Sequence, residues 1–114
     1  SLVSWAFREN GWDVPFPSPS TYNMSSVFTG LGFKRYNGNP AASDLVRGDI
    51  VLFEGDPAAG TGHVELYLGD GMLVGAHINE FGGVAGGQPG DQTGNEISTG
   101  GYYTSWNCWL RWEG

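Results

Sequence analysis

The chain has 114 residues, 39% of them hydrophobic and 14% aromatic, which fits one globular domain with a modest core. Its 12 acidic residues against 5 basic ones give a net charge of -7, and such a surface repels nucleic acid and anionic membranes. No apolar run approaches the length of a membrane span. With one cysteine, Cys108, an internal disulfide and a cysteine-based zinc site are both excluded.

The first 30 residues predict two short helices separated by a proline-rich loop. Apolar side chains recur at helical spacing over residues 1–10. Prolines in residues 12–20 exclude a helix or a central strand there. A second helix is expected over residues 22–29, with Ser20 or Thr21 as its cap.

From residue 32 onward the pattern changes to short β-strands separated by glycine-rich segments. Helices followed by antiparallel strands predict an α+β fold, in which N-terminal helices pack on a small antiparallel sheet. Residues 79–95 are expected to form a long loop. The expected strands are 32–36, 50–54, 63–68, 72–78, 96–98 and 106–112.

The strand that begins at His63 alternates between polar and apolar side chains. Its odd positions carry His63, Glu65 and Tyr67, and its even positions are apolar. This alternation is typical of a sheet with one buried face and one accessible face. A histidine on the accessible face, beside a glycine that permits close approach, is a candidate general base. The alternative is a surface histidine beside a turn.

The hairpin that follows can close in two registers. A two-residue turn would place Val64 opposite His77 and would mix polar with apolar side chains on both faces. A three-residue loop collects all apolar side chains on one face, so the hydrophobic pattern favours it. That register gives the pairs Leu68–Met72, Leu66–Val74, Val64–Ala76 and His63–His77.

His63, His77 and Glu65 on one face allow two interpretations. Zinc binding is disfavoured because a fourth ligand and a His-Glu-x-x-His helix are missing. The other interpretation is a nucleophile–base–orienter arrangement, with His63 as base and His77 as orienter. Cys108 is not the expected nucleophile. It alternates with Trp106 and other apolar residues on one strand face, where a buried thiol is inert.

Several segments together resemble the NlpC-type cysteine peptidases, papain-like peptidoglycan hydrolases of bacterial cell-wall enzymes and phage endolysins. Ser1-Leu2-Val3 matches the end of the family's Asp-Cys-Ser-x-Leu/Phe-Val motif, and Gly62-His63-Val64 matches the motif of its base. Residues 45–50 match its Leu-x-x-Gly-Asp-Ile/Leu strand, and residues 90–97 with the C-terminal aromatic residues look like the end of endolysin-type members. The resemblance implies a papain-like fold and a single catalytic domain over residues 1–114.

Two positions depart from the family's pattern. The nucleophilic cysteine would fall two positions before Ser1, so the N-terminal part of the domain is expected to lie outside this sequence. Ser1 itself fits the spacing less well. The family's third polar residue, twelve positions after the base, corresponds to Gly75, and His77 is the expected substitute. In the related CHAP amidohydrolases the orienter is Asn or Glu, which would here be Asn79 or Glu80.

The resemblance implies hydrolysis of an amide bond in the stem peptide of bacterial peptidoglycan. The enzyme would be an endopeptidase or an N-acetylmuramoyl-L-alanine amidase, secreted or delivered by a phage, with no metal or cofactor. His63 and His77 would be catalytic, and Trp5, Tyr22 and Glu65 are candidate substrate contacts. Such aromatic residues more often pack, and a strand carboxylate like Glu65 is more often simply exposed. The alternative function is a non-catalytic cell-wall-binding or phage structural module that retains the fold.

Overall fold

In the described residues, two helices precede one antiparallel sheet, as the sequence predicts. The computed structural model describes residues 2–14, 20–56, 58–59, 61–76 and 97–113. Neither helix within these ranges is long and apolar enough to cross a membrane. The elements are α1 (Leu2–Glu9), α2 (Met24–Gly30), β1 (Phe33–Asn37), a 3-10 turn (Ala42–Asp44), β2 (Ile50–Phe53), β3 (His63–Gly69), β4 (Met72–Ala76), β5 (Ile97–Gly101) and β6 (Cys108–Trp112).

The six strands form one sheet in the order β1-β6-β2-β3-β4-β5, and every pair of neighbours is antiparallel. The C-terminal strand β6 is therefore inserted between β1 and β2. This arrangement confirms an α+β fold with N-terminal helices and an antiparallel sheet. The capping prediction for α2 is wrong, because Asn23 occupies the N-cap position instead of Ser20 or Thr21.

Both helices pack on one face of the sheet, which we call the helix face. Val3 of α1 and Phe28 of α2 are buried there together with strand side chains such as Leu52, Val64 and Cys108. Burial of a Val, Leu or Phe side chain contributes about 1.5–3 kcal/mol of transfer free energy. The helix face therefore supplies the main apolar core of the molecule.

The opposite face, which we call the loop face, is covered in the described part of the chain by irregular segments and the 3-10 turn. Leu45, Tyr67 and Trp106 are buried there, and Tyr102 packs against them. The expectation that this face is accessible is wrong, because the segments around residues 42–45 and 102–106 lie over it. Trp106 was expected on the same face as Cys108, but it precedes the start of β6 and lies on the loop face.

The β3–β4 hairpin combines features of both predicted registers. Gly69 pairs with Met72 across a two-residue turn, in which Asp70 and Gly71 have φ of 53° and 73°. These positive values are typical of a type I′ turn. The register then shifts between Tyr67 and Gly69, and the pairing of Leu66 with Val74 is the one that the hydrophobic pattern predicts. The predicted Leu68–Met72 pair is wrong, because a bulge at Leu68 absorbs the extra residue.

Candidate functional site

The candidate site begins at His63, the first residue of β3. His63 lies opposite Phe53 at the end of β2, so both belong to the loop face. The imidazole side chain is 33% exposed, although the rest of this face is largely covered. The ring is therefore both held by the protein and accessible to a molecule from outside.

Gly62, the residue before His63, is closely approached by other segments of the same chain. A Cβ on Gly62 would lie 1.7 Å from Thr21 Oγ1 and 2.9 Å from the carbonyl oxygen of Glu54. Thr21 donates a hydrogen bond to that same carbonyl at 3.3 Å. The sequence predicted that this glycine admits another molecule. In the structure, the segment before α2 takes up that space.

Glu65 lies two residues along the same strand, on the same face as His63. Its carboxylate oxygen Oε2 is 2.9 Å from His63 Nε2, and the residue is only 2% exposed. The expectation of an exposed strand carboxylate is therefore wrong. An ionised carboxylate can only accept hydrogen bonds, so Nε2 of a neutral imidazole is the nitrogen that carries the proton. Nδ1 then carries the lone pair.

Gly75 on β4 provides the space that the Glu65 side chain occupies. A Cβ at position 75 would lie 2.7 Å from both Cδ and Oε1 of Glu65, closer than such atoms come in proteins. Any larger residue at this position would displace the carboxylate. Gly75 is also the position that corresponds to the third polar residue in the resemblance described above.

The chain before β6 closes the site from above the sheet. The Tyr103 hydroxyl donates to Oε2 of Glu65, and the Trp106 indole N–H donates to the carbonyl of Tyr103 at 2.9 Å. The Trp106 ring stacks on the His63 imidazole at 5.9 Å between centroids, with 18° between the planes. Burial and the Glu65 carboxylate both raise the pKa of Tyr103, which keeps its hydroxyl protonated as a donor.

The roles of Tyr103 and Trp106 were not found from the sequence. Both lie in the irregular segment between β5 and β6, more than thirty residues after His63 in the chain. Their only sequence signal is a concentration of aromatic residues before the last strand. Such a signal is more often a sign of core packing than of a site.

Cys108 is buried on the helix face, away from this arrangement. Burial raises the pKa of its thiol to about 11, so the thiol stays protonated near neutral pH. The prediction that Cys108 is a buried packing residue is confirmed. Among the described residues, no three His, Cys, Asp or Glu side chains gather as a metal site would require.

Of the other predicted site residues, the structure describes some side chains and not others. Tyr22 is 52% exposed and follows Thr21, which contacts Gly62, so it lies at the His63 end of the sheet. Trp5 belongs to α1, and its side chain lies outside the described part of the structure. His77 also lies outside the described residues, as do Ser1 and residues 79–95.

An open depression adjoins His63 at the ends of β2 and β3. Its rim includes Phe53, Thr61 and Asn107, together with Glu54. Arg35 holds the Glu54 carboxylate by two hydrogen bonds of 2.9 and 3.0 Å, which lowers the pKa of Glu54. The depression therefore combines an exposed aromatic side chain with a carboxylate whose charge is balanced by Arg35, next to a partly exposed imidazole.

A second buried carboxylate lies at the other end of the loop face. Asp49 is 1% exposed and accepts hydrogen bonds from Arg111 Nη2 at 2.7 Å and Nε at 3.0 Å. It also accepts from the backbone N–H of Val46 at 2.8 Å. These contacts brace the turn before β2.

The comparison with protein families concerns the C-terminal part of the chain. A family model for an endolysin-like domain matches residues 73–114. This part of the chain is similar to an endolysin-like domain. The match includes Gly75, Tyr103 and Trp106, which surround the His63–Glu65 pair, but it begins after the pair itself. No curated protein and no solved structure matches the chain, so the NlpC type and the papain-like architecture stay predictions.

Proposed function

We propose that the chain is the histidine-bearing part of a cell-wall hydrolase that cleaves an amide bond in the stem peptide of peptidoglycan. The endolysin-like C-terminal part supports a role at the cell wall, through secretion or phage delivery. The observation that carries the proposal is the His63 ring. It is partly exposed, stacked on Trp106 and hydrogen-bonded to a buried carboxylate, as a general base requires.

The proposed chemistry needs a cysteine thiol that is expected upstream of Ser1. Its proton passes to Nδ1 of His63, which leaves a thiolate beside an imidazolium. Its sulfur attacks the amide carbonyl carbon, and a C–S bond forms. The C–N bond then breaks, and His63 donates a proton from Nδ1 to the leaving amine. Water, deprotonated by the same nitrogen, hydrolyses the thioester and regenerates the thiolate. No metal or cofactor is needed for these steps.

The surroundings of His63 suit a peptide that carries free amino groups. The net charge of -7 attracts cationic groups, and the exposed Asp56 lies at the adjoining depression. Tyr22 and Phe53 are exposed aromatic side chains at the same end of the sheet. We assign Tyr22 to substrate contact and keep Trp5 and His77 as predictions, the latter as a second orienter.

The test is digestion of purified peptidoglycan by the polypeptide encoded by the complete gene. We compare wild type with His63→Ala and identify the fragments by mass spectrometry. We expect His63→Ala to lower the rate by on the order of 10²–10⁴-fold, the usual contribution of a positioned acid–base group. The fragment ends distinguish an endopeptidase from an amidase that releases L-alanine from muramic acid.

Met72→Ala is the matched control. Met72 is exposed and pairs with Gly69 at the turn of the same hairpin, at the opposite end of β3 from His63. We expect this variant to digest peptidoglycan like wild type. Binding of intact peptidoglycan without release of fragments would contradict the hydrolase and support the wall-binding alternative. Full activity of His63→Ala would exclude His63 as the base.

A further inference from the structure

We propose that Glu65 is the positioning residue of His63. Its carboxylate accepts the Nε2 proton, fixes the tautomer and directs Nδ1 toward the reaction. The proposal rests on the proposed function and deepens it. It replaces the substrate contact that the sequence assigned to Glu65.

The first argument is the geometry of the pair. The distance of 2.9 Å from Nε2 to Oε2 is that of a direct hydrogen bond. Positions 63 and 65 are on one strand, so both side chains project from the same rigid face. A carboxylate that accepts the distal ring proton holds an imidazole in one tautomer and stabilises the imidazolium that forms during proton transfer.

The second argument is the absence of a side chain at position 75. The Glu65 carboxylate occupies the volume into which a side chain from Gly75 would project, with a separation of 2.7 Å from the position of its Cβ. A polar group is therefore present beside His63, but it comes from β3 instead of β4. The glycine is a requirement of this arrangement, because any Cβ would push the carboxylate away from the ring.

The third argument is that two further side chains restrain the carboxylate and the ring. The Tyr103 hydroxyl donates to the same oxygen that contacts His63, and the Trp106 ring lies against the imidazole. Trp106 is buried and also holds the backbone of Tyr103. An aromatic cover excludes water from one side of the pair, which strengthens its hydrogen bond.

The first measurement is the tautomer of His63 in the 114-residue chain, from imidazole nitrogen chemical shifts. We expect a single Nε2–H tautomer in wild type, a mixture in Glu65→Leu, and largely the wild-type tautomer in Glu65→Gln, which retains an acceptor oxygen. Asp49→Asn is the matched control. It alters the other buried carboxylate of the loop face, and we expect the His63 tautomer to be unchanged.

The second measurement is peptidoglycan hydrolysis by the complete gene product. We expect Glu65→Leu to lower kcat by on the order of 10²-fold or more with little change in KM, because substrate contacts are retained. Glu65→Gln should recover part of that loss. A change in KM alone would overturn the proposal and return Glu65 to substrate binding.

The remaining outcomes separate this proposal from the proposed function. A wild-type tautomer in Glu65→Leu, or a mixed tautomer with unchanged kcat, would overturn the positioning role. A shift of tautomer in His77→Ala, with none in Glu65→Leu, would assign the role to His77. A single Nε2–H tautomer in a wild-type protein that does not hydrolyse peptidoglycan would overturn the proposed function instead.

Discussion

The loop face of the sheet carries two buried carboxylates with different partners. Asp49 lies against Arg111, a permanent cation, and also accepts a backbone N–H. Glu65 lies against the His63 imidazole and the Tyr103 hydroxyl, neither of which is a permanent cation. Both residues are almost fully buried, so burial alone does not separate a structural group from a functional one.

The difference lies in what the partner can do. Arginine does not release its proton in proteins, so the Asp49–Arg111 pair can only hold β2, β6 and the turn before β2 together. Histidine exchanges a proton near neutral pH, and the His63 ring also reaches solvent. A buried carboxylate that is hydrogen-bonded to a partly exposed histidine is therefore suited to proton transfer. One that is paired with an arginine is suited to stabilising the fold.

The largest effect is expected at the structural pair. Asp49→Ala leaves Arg111 and the Val46 N–H without their acceptor, and we expect the free energy of unfolding to fall by about 3 kcal/mol. Chemical denaturation measures this. Asp13→Ala, at an exposed position, should change stability by less than about 0.5 kcal/mol. Equal effects of the two substitutions would contradict a stabilising role for Asp49.

A smaller loss of stability and a larger loss of activity are expected at Gly75. Gly75→Ala places a Cβ against Glu65, and overpacking of this kind costs about 1–3 kcal/mol. The displaced carboxylate should also release the His63 ring. The control is Gly100→Ala on the neighbouring strand, where nothing lies within 4 Å of the new Cβ. We expect thermal unfolding and the His63 tautomer to change in the first variant alone.

Tyr103→Phe should have a modest effect that depends on pH. Loss of one hydrogen bond to Glu65 is expected to lower the free energy of unfolding by about 1 kcal/mol near neutral pH. The pKa of Tyr103 is higher in the folded state than in the unfolded chain, where a tyrosine has a pKa of about 10. The hydroxyl therefore contributes fully to the free energy of unfolding below about pH 10, and this contribution is lost as the pH rises further. The difference in the free energy of unfolding between wild type and Tyr103→Phe, measured by denaturation, should therefore become smaller above that pH. A constant gap would argue against the hydroxyl–carboxylate contact.

The smallest effect is expected at Cys108, on the helix face. With a thiol pKa of about 11, only about one thousandth of the thiol is ionised at pH 8, and the side chain is buried. We expect no reaction with a thiol reagent in the folded chain and stoichiometric reaction in denaturant. Rapid labelling of the folded protein would show that Cys108 is accessible and would reopen its assignment as a packing residue.

The apolar features of the fold were predictable because they follow local patterns. Period-two alternation located β3 and placed His63, Glu65 and Tyr67 on one face. The hydrophobic pattern also predicted the pairing of Leu66 with Val74. What it missed was the bulge at Leu68, because glycine and aspartate with positive φ permit a two-residue turn that the pattern alone disfavours.

The polar surroundings of His63 were not predictable in the same way. Tyr103 and Trp106 lie far from His63 along the chain and reach it only because β6 is inserted between β1 and β2. A pattern within one strand carries no information on which loop will cover that strand. For this reason Glu65 was expected to be exposed and is buried.

By itself, the sequence determined the order of helices and strands, the packing role of Cys108 and the strand face that carries His63. These depend on spacing and side-chain type, which act over a few residues. Only the tertiary structure decided that the second face of the sheet is covered and that Glu65 fills the space left by Gly75. It also decided that Asp49 and Glu65 have different partners. These depend on contacts between distant segments, which packing of the whole chain selects.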